Sequence, residues 1–584
     1  MLSLIEKPQN SGFLENCNFA FKEITKKGEY DFVYLLNNDA EVVANWLDEL
    51  LLQIEIDPLI GIVGSSFIYS DLSIQESGGI VWADGSAWNY GRFDSWTKPK
   101  YRVVRDADYV SGAGLLINLK SFPSGLSFDK RYLPAYYEDT DLAMQARENG
   151  FRVVICPLSK VIHHEGKSHG IDVNMGVKAS QEKNQVIFTE KWKHQLANHL
   201  EHNAHEADRA AFRLENDRRS EAIIWIDYQL PDPSRDSGSV RAIAWMKLAK
   251  ELGKYVLFVP QRPSFDHSSS NFLEREGIPV FHNVAEALGF ARSVNFKVTF
   301  AWISRIDVFN QYFDKIKKLS SDSNIIFDTV DVHALRLNRD SVVSGRVSRD
   351  LQKELDAIEK ADATIVVSTF ERDLIDSLLP DSKVKIISNV HTAAVEEEDN
   401  RKGLVFVGSF NHFPNQEGVA WFMSEVWPLL PAETQAQGLA IVGQNPPAEL
   451  LAYSSENVNV TGWVPESAKY VSSAQISIAP LLSGAGVKGK IGEALALGTP
   501  VITTSIGAEG MNLESTESAL IADTPEGFAA AIVRAMADQD LRKTLAENGK
   551  KLISEHFSLD VARVELGHLL NSNDSKGTRQ SQGV

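Results

Sequence analysis

The residues best suited to chemistry lie between Pro480 and Gly510. Gly484 and Gly486 free a loop to approach a ligand, and Lys488 and Lys490 place two cations at the start of the helix that follows. Free N–H groups at a helix start, the positive end of its dipole and two ammonium groups together describe a diphosphate site. Ile491, Ala494, Leu495 and Gly498 fall at i, i+3, i+4 and i+7 and form the buried face, so Glu493 points away from it. Glycine loops of this kind also occur where a helix merely packs tightly on a sheet.

A second set lies near the front. The short apolar strand Asp31 to Leu36 runs into Asn37-Asn38-Asp39, and a carboxylate at the carboxyl end of a strand can hold a hard divalent cation that bridges phosphates. The same triplet also makes an Asx turn. Ser111-Gly112-Ala113-Gly114 would let a substrate approach the backbone. Glu138 and Asp139 open a helical run that ends at Asn149-Gly150, where negative charge also suits the dipole. Gln145 and Arg147 are expected on that helix's outer surface. Strands at Arg152 to Cys156 and Lys160 to Ile162 lead to His163-His164, a pair equally compatible with ordinary surface or core positions.

These residues need a large scaffold to position them. A chain of 584 residues exceeds one hydrophobic core and divides into three or four domains. A net charge of -19 opposes broad binding to nucleic acid. The two cysteines, Cys17 and Cys156, give no disulfide framework. No apolar run is long enough to span a bilayer and no basic-then-apolar leader is visible, which predicts a cytoplasmic protein. A lipid-linked acceptor would be met by peripheral contact at the inner face of the membrane.

Apolar runs alternate with amphipathic segments from Ala222, at 222–228, 255–260, 278–282, 298–303, 324–330, 363–368 and 383–388. The rhythm restarts at 404–409, 439–443, 458–461, 476–480, 499–504 and 519–522. Such alternation predicts two doubly wound parallel sheets. The expected domains are 1–200, a charged helical or partly mobile linker at 201–221, then 222–395, 396–570 and a disordered tail at 571–584.

Residues 403–510 resemble the nucleotide-sugar-binding half of family 4 glycosyltransferases. The resemblance sets Lys488, Lys490 and Glu493 where that family contacts the nucleotide diphosphate and ribose. The family's Glu-x7-Glu pair would begin at position 485, which here is Ala485, so the first glutamate's contact with the donor sugar is not carried over. Ser409 and Asn415 stand where many relatives have Arg and Lys, leaving the phosphate charge to Lys488 and Lys490. The segment Pro231 to Arg241, with Gly238, looks like the glycine loop that faces the donor in this branch. Asp331 and His333 end a strand where the family often places polar groups near the sugar, although they could also cap the next helix.

The front of the chain resembles family 2 glycosyltransferases, particularly the rhamnosyltransferase-like branch, through Asn10, Gly12, Phe13 and Asn18, Asn37 to Asp39, and Glu138-Asp139. The resemblance implies that Asp39 binds a divalent metal, Mg or Mn. It also makes His163, five residues before Ser168, a second ligand, and Asp139 of the Glu138-Asp139 pair the general base. Such domains normally open with a base-binding strand, helix and strand. Met1 lies only nine residues before Asn10, so that unit has no room. An exposed strand edge is expected, together with a chain that begins inside a longer protein.

The fold class implied is α/β, a partial GT-A nucleotide-diphospho-sugar transferase domain followed by a GT-B pair of Rossmann-like domains. The function implied is sugar transfer from a nucleotide-diphosphate sugar to a glycan or lipid-linked acceptor in bacterial surface polysaccharide biosynthesis. The front half would invert configuration, or be inactive, and the metal-free second half would retain it. A nucleotide-sugar epimerase and a non-catalytic nucleotide-sugar-binding scaffold are the competing readings.

Overall fold

The computed structural model describes residues 11–164, 180–233, 237–263, 270–332, 349–392, 400–484 and 486–571. Asn10, Ser168, Ser234 to Asp236, His333, Ala485 and the tail from 572 lie outside the described residues. The chain forms two compact units, residues 1–224 with 253–299 and residues 225–252 with 300–584.

The first unit is built on a seven-stranded mixed sheet. Its main order is Phe32–Leu36, Gly114–Asn118, Ile60–Ile68, Arg152–His163, Ala40–Val42. Ile60–Ile68 is buried along its whole length, as expected of a strand covered on both faces. Among the described residues Phe32–Leu36 is the last strand on one side of this order, and Phe32 and Leu36 are exposed. The two strands expected at 152–156 and 160–162 are one, which pairs with Ile60–Ile68 through a register shift between Ser65 and Ser66. Residues 278–282 form no strand. Val280 makes a single bridge to Phe258.

Residues 204–218 are helical, one of the two forms expected of the linker, and they pack into the unit: Phe212 is fully buried and meets the Phe290 ring edge-on at 5.0 Å. Arg213 donates to buried Asp108 at 2.8 Å and Arg218 pairs with buried Asp106, so charges that look solvated in the sequence neutralise acids inside the unit. Gln145 and Arg147 are half-buried, and Arg147 turns inward rather than to solvent. Gln145 donates to Asp141 at 2.7 Å, and the Arg147 guanidinium reaches the carbonyls of Ala107 and Asp108.

In the second unit, Phe300–Ser304, Asn324–Asp328, Ala363–Val366 and Val384–Ile386 pair in parallel in that order. Arg241 and Asp328 form a buried pair, with Nη2 donating to both carboxylate oxygens at 2.7 and 2.9 Å and the guanidinium 4.2 Å from the Trp245 ring centroid. Ser304 Oγ donates to Asp328 at 3.0 Å. Because truncation leaves a buried carboxylate uncompensated, Arg241→Ala is expected to destabilise this unit by about 3 kcal/mol or more, read from the urea midpoint.

A second parallel sheet has the order Val458–Gly462, Leu439–Val442, Leu404–Val407, Ile476–Ala479, Val501–Thr503, Leu520–Ile521. Numbered along the chain this is 3-2-1-4-5-6, the doubly wound order. Its direction reverses between Leu404–Val407 and Ile476–Ala479.

Candidate active sites

At such a reversal the loops leaving two neighbouring strands diverge and leave a crevice at their carboxyl ends. Gly408 to Asn415 leave the first strand and Pro480 to Lys488 the second, and Lys490 joins them. Its Nζ donates to Asn415 Oδ1 and lies 4.5 Å from the Phe406 ring centroid. Burial, and then the charge of Lys488, push the Lys490 ammonium down to about 7. Lys488 caps the helix Gly489–Ala496, is itself buried and donates to Gly486 O at 2.6 Å. Two amines beside a helix start make this end of the crevice suited to an anion. A Cβ at Gly408 would stand 2.8 Å from Lys490 Nζ and from Asn415 Nδ2, so a side chain there would displace both.

Glu493 is half-buried, accepts from Ser467 Oγ at 3.2 Å and is pushed up by burial. Gly484 and Gly486 take positive φ of 124° and 69°, so the loop follows a path that side chains resist. The rest of the second unit meets this loop. A Cβ on Gly486 would lie 3.7 Å from Asp331 Cβ and 4.0 Å from Glu371 Oε1. A Cβ on Gly489 would lie 2.6 Å from Ser237 Cβ, at the first residue of the helix Ser237–Glu251 that contains Gly238. Gly238 and Asp331 are thus gathered near the lysines, whereas His333 and Ala485 lie outside the described residues.

The first unit gathers its own set. Asp139 opens the helix Glu138–Glu148, and its Oδ2 accepts the Gly112 N–H at 2.9 Å. The adjacent Ser111 N–H donates to Glu76 Oε1 at 3.1 Å, so two consecutive amides hold a buried carboxylate, Glu76, and a half-buried one, Asp139. Burial pushes Glu76 up to about 8 with help from Asp139, and burial and Asp139 do the same to Glu138; Asp139 is raised by burial. The sequence offered no sign of Glu76, which precedes a glycine pair and meets Asp139 only through the folded sheet. Phe13 also reaches this place, since a Cβ on Gly112 would lie 3.4 Å from Phe13 Cζ. Asn18 instead ties down backbone, donating to Phe128 O at 2.9 Å and accepting from its N–H at 2.7 Å.

Asn37 to Asp39 form a turn, with Ala40 N donating to Asn37 O at 3.3 Å, and the strand that follows pairs Ala40 with His163. His163 Nε2 comes 3.3 Å from Asp39 Oδ1. Its Nδ1 lies 2.9 Å from Gln75 Oε1, the kind of contact that orients a ligating imidazole, and the Nε2–Asp39 pair serves either as an ion pair or as two ligands of one cation. The described residues hold no group of three or more His, Cys, Asp or Glu placed to hold a metal ion, so Asp39 and His163 could supply two ligands at most. No helix among the described residues is long and apolar enough to cross a membrane.

Residues 401–538 match the family described as Glycosyl transferases group 1. O-antigen biosynthesis protein RfbC of Myxococcus xanthus is 29% identical over 157 residues, 25% of this chain and 12% of that protein. An uncharacterized 44.6 kDa protein in the cps region of Klebsiella pneumoniae is 29% identical over 163 residues, 26% of this chain and 42% of that protein. The chain spans less than half the length of either relative. Sucrose-phosphate synthase from Thermosynechococcus elongatus superposes with a TM-score of 0.47 at 16% identity, over 61% of this chain and 100% of that one. The second unit carries a glycosyltransferase group 1 domain on an α/β fold with parallel sheets.

Proposed function

We propose that the chain is a tandem glycosyltransferase of surface polysaccharide assembly, taking sugars from nucleotide-diphosphate donors to a glycan or lipid-linked acceptor on the cytoplasmic side of the membrane. The observation that carries this reading is the pair Lys488 and Lys490 at the reversal point of the doubly wound sheet, inside the segment matched to Glycosyl transferases group 1. A nucleotide-sugar epimerase would share the cleft but isomerise its donor, and a scaffold would bind it without turnover.

In the second unit, the two ammonium groups and the helix start take the diphosphate, Glu493 takes the ribose hydroxyls, and Asp331 faces the sugar with Gly238 at the opposite wall. The leaving charge develops against fixed cations in a desolvated crevice, where each interaction is stronger than in water. This half needs no metal and retains configuration in the GT-B manner. In the first unit, read as a partial GT-A domain, Asp139 removes the acceptor proton, its carboxyl made more basic by burial, with Glu138 beside it. Asp39 and His163 would hold Mg²⁺ or Mn²⁺, which when bound neutralises the leaving diphosphate. The acceptor oxygen attacks opposite the leaving group, so configuration inverts.

The test is a panel of UDP-, GDP- and dTDP-sugars given to the full chain, with products separated to distinguish transfer from isomerisation. EDTA is expected to abolish the transfer that Asp139→Asn abolishes and to leave the transfer that Lys490→Met abolishes. Isomerised donor, or binding without any transfer, would overturn the assignment.

A further inference from the structure

We propose that Glu371 is a positioning residue, which with Asp328 clamps the turn 328–332 from both sides and holds Asp331 against the glycine loop at Gly486. This inference rests on reading that loop as the donor site.

The turn is strained at its centre. Val330 has φ of 66°, in the left-handed region that a β-branched side chain resists. Such residues persist when their surroundings over-determine them. On one side Asp328 Oδ1 accepts the Val330 N–H at 3.1 Å, while Arg241 and Ser304 hold the same carboxylate. Thr329 contributes its N–H and its hydroxyl, both donated to Ile365 O at 3.1 Å. On the other side Glu371 Oε1 accepts the Val332 N–H at 3.3 Å and Oε2 accepts the Val367 N–H at 3.0 Å. The backbone of 328–332 is therefore fixed at every residue around Asp331.

Glu371 does more than cap a helix. Ser368 caps Thr369–Leu378, accepting the Glu371 N–H at 3.2 Å, and the ordinary reciprocal bond would run from the glutamate to the N–H of Ser368 itself. Here the carboxylate passes its own cap and joins two separate segments, the end of one strand and the turn after another. It is 1% exposed, and burial pushes it up to about 7, with Asp331 raising it and Arg241 lowering it. A cap alone gives no reason to bury a carboxylate so completely beside a second acid.

The test uses the full chain and the variants Glu371→Gln, Asp331→Asn, the double variant and Val330→Gly, with thermal melts to check folding. Hydrogen exchange reads the Val332 amide. Calorimetry with UDP, GDP and dTDP, and then their hexose esters, reads the sugar's contribution to binding. Glu371→Gln is expected to speed Val332 exchange and to cut the contribution of the hexose by about ten-fold, leaving the nucleoside diphosphate affinity unchanged. The double variant should bind the hexose ester no worse than Asp331→Asn, because residues acting as one unit do not add. Val330→Gly removes the strain without touching either carboxylate, so it should leave Val332 exchange no faster than in wild type and keep the hexose contribution, and it should soften the loss caused by Glu371→Gln when the two are combined.

Unchanged Val332 exchange, or full addition of the Glu371 and Asp331 effects, would overturn the inference. If wild type binds none of the nucleotides, the donor-site reading itself falls. Val332 exchange still reports whether the clamp exists, which separates the two failures.

Discussion

Replacing Lys490 by Met is expected to weaken nucleoside diphosphate binding by about 10²-fold while raising the melting temperature of the ligand-free protein. Lys490 is half-buried beside Lys488, and loss of water followed by that neighbouring charge pushes its ammonium down to about 7. Burying a cation beside another cation is unfavourable until a diphosphate arrives, so the site trades ligand-free stability for affinity. Methionine keeps the packing on Phe406 and removes the charge.

The pH dependence follows with a definite sign. A lysine depressed from its ordinary value binds fewer protons folded than unfolded between about pH 7 and 10, so stability without ligand rises with pH across that window. The diphosphate needs the ammonium, so binding falls as pH rises above about 7, by up to about ten-fold per unit. Lys490→Met should flatten both trends. Calorimetry from pH 6 to pH 9 with paired thermal melts reads them, and a pH-independent affinity in wild type would remove Lys490 from the diphosphate site.

Asp139→Asn is expected to lower metal-dependent transfer by about 10³-fold, the central range for loss of a general base. The asparagine still accepts the Gly112 N–H through its one oxygen, so the fold should survive. Removing one of three neighbouring acids should also let Glu76 and Glu138 ionise at lower pH. Glu76→Gln makes the complementary prediction. Glu76 is held up to about 8 by burial and the Asp139 charge, so its loss should move the limb of the pH–rate profile near pH 8. An unmoved limb would mean that the two carboxylates do not share a site.

The sequence by itself determined what depends on neighbours along the chain. The glycines and lysines from Gly484 to Lys490 announce a loop feeding a helix start. The Asp31 to Leu36 run ending in Asn37 to Asp39 announces a strand with a carboxylate at its tip, and the apolar rhythm after Leu404 matches the six parallel strands found there. These are signals of period and local backbone preference, which a short window contains.

The tertiary structure alone decided which distant groups meet and which charges lose water. Lys490 becomes a depressed amine only because Asn415, Phe406 and Lys488 surround it. Glu76 enters the Asp139 site because Ser111 and Gly112 present consecutive amides, and Glu371 reads locally as a helix cap although it spans two strand ends. The charged stretch 201–221 and Arg147 looked solvated for the same reason. Their partners, Asp106, Asp108 and the carbonyls of Ala107 and Asp108, lie far away in the chain and are brought to them by the fold. Burial sets the cost of a charge, and burial is a property of the folded sheet and helices rather than of any local window.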